Sequence, residues 1–238
     1  MRPIICVDIS HYSFEEFVEF VFDRDVPPKS EMPTSDEGFH RWYYCANPVF
    51  DLDRQCSHYV RLFSEPTRLL GMFSKAQLEQ GFSATLSGRS FSAGMLIWNT
   101  DLPFEQRKLI VKSMFYLFRD LFRVERVGTA YTWWPRLCYG WENGQRQRSR
   151  GGEDLTMQDV MFETMSEVLS IESDRCRWAA LQGLRLLHHP ATLELFQKDS
   201  TVVPCLEGRF RESLEEGFRK YPAEDAAWAK RISARRSR

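Results

Sequence analysis

The residues able to do chemistry are spread thinly along the 238-residue chain. His40, Cys45, Cys56 and His58 form the one grouping that suggests a zinc site. Structural zinc sites present closely spaced ligand pairs, whereas here only Cys56 and His58 are near each other, and on a helix the two would point in different directions. A core cysteine and a boundary histidine are the expected reading, with no metal. His188 and His189 precede Pro190, where a helix should end. Imidazolium is favoured at the negative pole of a helix, so the pair is read as a charged cap.

Paired carboxylates suited to acid/base work occur at Asp51 and Asp53, and at Glu15, Glu16 and Glu19. Both sets sit where acidic helix faces or first turns are expected, and no nucleophile or base accompanies them. Arg146, Arg148 and Arg150 follow Trp133, Trp134 and Trp141. Guanidinium groups neutralise phosphates and indoles stack on bases, which makes this the nucleic-acid-binding alternative. Three cations in a short window also describe a solvated loop. The chain contains no GxSxG, P-loop, GxGxxG or HExxH pattern, so no catalytic residue and no cofactor-binding residue is assigned.

The six cysteines (Cys6, Cys45, Cys56, Cys138, Cys176, Cys205) include no CxxC, and are read as reduced thiols of a cytoplasmic protein. The opening MRPIICVDIS is broken by Asp8 and gives no signal-peptide pattern, and no apolar run reaches membrane-spanning length. Net charge is −1 but uneven: residues 1–60 carry 5 basic and 11 acidic groups, 61–150 carry 14 and 7, and 151–238 carry 13 and 15. A nucleic-acid binder usually shows a stronger global bias.

The element that must position everything else runs from Pro103 to Phe122. Phe104, Val111, Met114, Phe115, Phe118, Leu121 and Phe122 recur at steps of three, four and seven, the stripe of a buried helix. Asp101 is the expected cap, Pro103 suits the first turn, and Glu105 complements the positive pole. Upstream, Ser13 and Glu16 spell a capping box with Tyr12 and Phe17 as staple, predicting a helix to about Phe22. Residues 23–39, rich in Pro, Ser and Gly, read as a loop. Asn47-Pro48 opens a predicted helix carrying Val49, Leu52, Cys56, Tyr59, Val60 and Phe63. Ser74 and Gln77 form a second capping box, with Phe73 and Leu78 as staple, for a helix ending near Ser87-Gly88. Met95 to Trp98 is a strand-like patch or a buried loop. Thr129 to Tyr139 should kink or break at Pro135, and 140–152 reads as a loop and segment boundary.

From Asp154 the pattern turns repetitive. Residues 155–170 (Met157, Val160, Met161, Thr164, Val168), 173–187 (Cys176, Ala180, Leu184, Leu187; capped by Ser173), 190–198 (Leu193, Phe196) and about 203–217 (Leu206, Phe210, Leu214) predict short helices. The short connections between them force antiparallel neighbours. The run CRWAALQGLRLLHHP, Cys176 to Pro190, resembles the second helix of a HEAT-like repeat. FSKAQLEQGF, Phe73 to Phe82, and the central helix are similar to segments of uncharacterised bacterial all-helical proteins that end in this repeat pattern. The resemblance implies a helical scaffold that binds other macromolecules, and carries no catalytic residue.

The expected fold is all-α, a multi-helix bundle of nine or ten helices continuing into HEAT-like stacked hairpins. The expected organisation is one domain, with a sub-division into a helical core (1–140), hairpins (153–218) and a frayed basic tail (219–238). The expected function is a non-catalytic scaffold or adaptor for a protein partner, of which an immunity or regulatory protein that masks its partner is a special case. Glu15, Glu16, Glu19, Arg146, Arg148, Arg150 and Trp141 are the candidate contacts. The alternatives are nucleic-acid binding through 146–150 and an enzyme without a recognisable motif. No membrane association is expected.

Overall fold

The structure, a computed structural model, describes residues 6–26, 42–192 and 194–195. It is all-α. Among the described residues the helices run in the order α1 (Phe14–Phe22), α2 (Trp42–Cys45), α3 (Leu52–Ser64), α4 (Lys75–Thr85), α5 (Ala93–Leu96), α6 (Phe104–Tyr116), α7 (Thr129–Glu142), α8 (Gly152–Leu169) and α9 (Asp174–Leu187). The described residues contain one isolated parallel bridge, Asp8 to Val49, and no strand. Two compact units divide between Ala130 and Tyr131, inside the first turn of α7. The break therefore lies ahead of the arginine-rich loop.

In the first unit both capping boxes form. Ser13 Oγ accepts the Glu16 amide while Glu16 accepts the Ser13 amide, and Ser74 and Gln77 repeat the arrangement. Tyr12 meets Phe20 edge-on at 6.2 Å. Phe14, Phe17, Val18, Phe20, Val21 and Phe22 are all buried, so α1 is a core helix with only its glutamates outside. Phe22 packs on Phe82 at 5.0 Å, Phe82 on Phe122 at 5.2 Å, and Phe122 on Phe118 at 5.1 Å, a chain of edge-on rings joining α1, α4 and the end of the central helix. Gly81 permits the close approach, since a Cβ there would lie 2.2 Å from the Phe22 ring.

Several expectations are corrected. The third helix starts at Leu52 with Asp51 as its cap, because Val49 is drawn into backbone pairing with Val7 and Ile9 and stays 62% exposed. Met95 to Trp98 is no strand: Ser92 caps the short α5. Pro103, not Asp101, is the N-cap of α6, and the Asp101 amide is instead held by the Asn99 side chain. The central helix changes character at Leu117. Leu117–Phe122 is π-helical, with the Arg123 amide reaching the Phe118 carbonyl. Leu117, Phe118, Leu121 and Phe122 are thereby all buried, while Phe104 and Phe115 are only partly covered.

In the second unit α7 runs through Pro135 without breaking. Trp133, Trp134, Leu137, Cys138 and Trp141 are all buried on either side of the proline, and that burial outweighs the lost backbone hydrogen bond. The chain stays helical to Glu142, and Arg148–Arg150 form a 3₁₀ turn inside the expected loop. Helices α8 and α9 are an antiparallel pair: Gln158, early in α8, bonds to the Leu187 carbonyl at the end of α9. Every residue expected inside on these two helices is buried. Ser173 takes the cap position of α9 without a side-chain bond. The expected helices at 190–198 and 203–217 lie largely outside the described residues, as do most of the 23–39 loop, His40, Cys205 and the tail 219–238.

Candidate functional site

A polar cluster of the second unit centres on Asp159. Gly151 and Gly152 have φ of 67° and 64°, a left-handed entry that turns the arginine-bearing segment back along α8. Arg148 Nη1 then donates to Asp159 Oδ1 (2.5 Å) and to Gln158 Oε1 (2.9 Å). At the far end of α9, His188 adopts φ 54°, and this left-handed cap sends His189 onto α8. His189 Nε2 lies 2.9 Å from Asp159 Oδ1, and its ring stacks on Phe162 with centroids 4.1 Å apart.

Asp–His–Arg groupings perform proton transfer when one imidazole nitrogen is open to a reactant. Here Nδ1 accepts the Ala191 amide at 3.2 Å, which fixes the proton on Nε2, where it is donated to Asp159. Both nitrogens are thus engaged. Burial lowers the His189 pKa, against the opposing pull of Asp159, and so favours the neutral ring. Partial burial alone would raise Asp159, but the bonds from Arg148 and His189 outweigh it and hold the carboxyl below its ordinary value. The cluster ties three segments together and offers no free base.

The arginine loop is likewise engaged. Arg146 pairs with Asp154 at 2.6 Å, and Arg150 donates to the Gln145 carbonyl at 2.7 Å. Trp141 is 3% exposed, which removes it as a surface contact. Glu15, Glu16 and Glu19 are exposed on α1, but Glu15 reaches Arg61 and Arg68 (3.6 and 3.5 Å), and Glu16 closes the capping box. Asp51 is a cap. His58 bonds through Nε2 to the Tyr12 carbonyl and stacks on Phe17 at 5.0 Å, and burial lowers its pKa. Burial pushes the Cys56 thiol up to about 11, the wrong direction for a thiolate ligand. Among the described residues no three potential ligands come together. The charged-cap reading of His188 is corrected: burial, reinforced by Arg185, lowers its pKa to about 4, so the cap is neutral.

The sequence reading of the central helix's other faces, which carry Lys108, Lys112 and Arg119, is a solvated surface in preference to a binding strip. On α6 and its π-helical continuation, Leu109 is 53% and Tyr116 40% exposed, seven residues apart and hence on one side. Arg119 lies over the Tyr116 ring (4.9 Å) and binds Asp120 through two 2.7 Å contacts. The signal was present, since Leu109 and Tyr116 fall outside the buried stripe, but an isolated exposed leucine or tyrosine is ordinary.

Comparison of the chain with protein-family models, with curated proteins and with solved structures finds no match. Among the described residues, no helix is long and apolar enough to cross a membrane.

Proposed function

We propose that the chain is a non-catalytic helical scaffold that binds a protein partner through the outer face of α6. The observation that carries this reading is the exposed Leu109 and Tyr116 together with an Arg119 already fixed by Asp120 and the Tyr116 ring. Tyrosine and arginine dominate the energetics of protein interfaces, and a side chain held in place before binding loses less entropy on association. Engagement of His58, His189, Asp159 and the caps in internal bonds supports the absence of catalysis. Pairing of Arg146 and Arg148 with α8 carboxylates weighs against nucleic-acid binding through that loop. The α8–α9 hairpin is compatible with a HEAT-like repeat unit, and the free thiols of Cys6, Cys45, Cys56, Cys138 and Cys176 fit a cytoplasmic setting.

The test is affinity purification of the tagged chain from its native host, with nuclease-treated and untreated halves, alongside L109E/Y116E. Both positions are exposed, and circular dichroism checks that the variant keeps its helices. A protein partner that survives nuclease and is lost with L109E/Y116E supports the reading. Equal retention by the variant, or captured material removed by nuclease, refutes it.

A further inference from the structure

The geometry points to a latch in the second unit: the turn Gln147–Gly151 and the chain leaving α9, His188–Thr192, are closed onto α8 by one carboxylate oxygen, Asp159 Oδ1, and open together. Arg148 Nη1 and His189 Nε2 both donate to that atom, from positions forty-one residues apart in sequence. A second bridge runs beside it. Gln158 accepts from Arg148 through Oε1 and donates through Nε2 to the Leu187 carbonyl, one of the orphan acceptors at the end of α9. Each side is therefore tied to α8 at the same two neighbouring residues.

The coupling follows from what each side excludes. With the arginine turn in place, Arg148 and Asp159 are each about two-thirds covered and His189 almost wholly so. If the turn lifts, Gln158 loses the donor that fixes its amide, and water reaches Oδ1. The His189 bond then competes with hydration and loses the advantage of a sheltered site. Release of His189 frees the Ala191 amide from Nδ1 and uncovers the Phe162 ring beneath. In the reverse direction, loss of His189 exposes the same carboxylate oxygen from the other side and loosens Arg148. Asp159 is a positioning residue in this device, and the device does not depend on what binds α6.

Amide hydrogen exchange on the full chain tests it. In R148Q the Ala191 amide should exchange about tenfold faster, the loss of one charge-assisted bond, although Arg148 does not touch Ala191. In H189Q the amides of Arg150 and Gly151, which close the arginine turn onto the Gln147 and Arg148 carbonyls, should quicken comparably. Core amides of α8 such as Met165 stay at wild-type rates. The ¹⁵N signals of His189 give a second readout, moving from one Nε2-protonated tautomer toward a mixture in R148Q. Faster exchange at Arg150 and Gly151 with Ala191 and the His189 tautomer unchanged in R148Q overturns the latch, since the two sides then open independently. If R148Q also speeds the α8 core, R148K, which keeps a donor and the charge, is read by the same two outcomes.

Discussion

Gly183 lies in the middle of α9, where glycine to alanine ordinarily stabilises a helix by about 1 kcal/mol. The packing of the second unit reverses that expectation. A Cβ at position 183 would lie 2.3 Å from Trp134 Cβ and 2.4 Å from Met165 Sδ. The methionine sulfur sits on a flexible chain and can swing away. Trp134 Cβ cannot, because it is bonded to the α7 backbone and its indole is fully buried. G183A must therefore push α9 off α7. Overpacking of this kind costs typically 1–3 kcal/mol and occasionally more. Set against the gain of about 1 kcal/mol in propensity, the net loss should be about 0–2 kcal/mol. In urea, with a slope of roughly 1–3 kcal/mol per molar, the tryptophan-reported midpoint should fall, by up to about 1 M. M165A should not rescue it, because the contact with Trp134 Cβ remains. A midpoint that rises in G183A, or full rescue by M165A, would refute the account of how α7, α8 and α9 meet.

Acid should weaken the fold through His188. Its folded pKa is depressed to about 4, so the unfolded chain takes up a proton that the folded chain refuses as pH falls below about 6.5, and stability declines across that window. Between about pH 7 and about pH 4.5 the wild type should lose roughly 2 kcal/mol more than H188N, an asparagine being tolerant of the left-handed conformation, as read by urea unfolding at the two pH values. F118A should cost about 3–5 kcal/mol and F115A only about 1 kcal/mol, the difference between a fully buried ring and a partly covered one, by the same unfolding assay. Cys56, with its thiol pushed up to about 11, should resist iodoacetamide near neutral pH in the folded chain while exposed Cys6 reacts, and mass spectrometry of the labelled peptides distinguishes them.

Local grammar was legible in the sequence and long-range placement was not. Ser13 with Glu16 and Ser74 with Gln77 could be read because a capping box lies within four residues. The hairpin of α8 and α9 could be read because its buried positions repeat at helical spacing. The central helix was read with one period throughout, and this put Phe115 inside. A π-helical turn carries about one residue more per turn, and in it Leu117 joins Phe118, Leu121 and Phe122 in the core that Phe115 only borders. Pro135 reads as a kink or a break because the sequence cannot weigh one lost hydrogen bond against the buried Trp133, Trp134 and Trp141 around it.

The histidines show why chemistry is harder to read than fold. His188 and His189 are adjacent and of one type, and a reading by position assigns both the same charged-cap role. One left-handed residue separates their fates. His188 ends α9 as a buried neutral cap, while His189 is carried across to α8, where Asp159 takes one nitrogen and Ala191 occupies the other. Asp159 itself lies on what a helical wheel shows as an unremarkable polar position, and nothing nearby in the sequence marks it. Its partners lie at 148 and 189, brought to it only by the glycine turn before α8 and the reversal after α9. A side chain's chemical capacity is what remains after its hydrogen bonds are counted, and that count needs the topology. By it, the groups among the described residues that first suggested acid/base chemistry, metal binding or phosphate contact are largely committed within the chain.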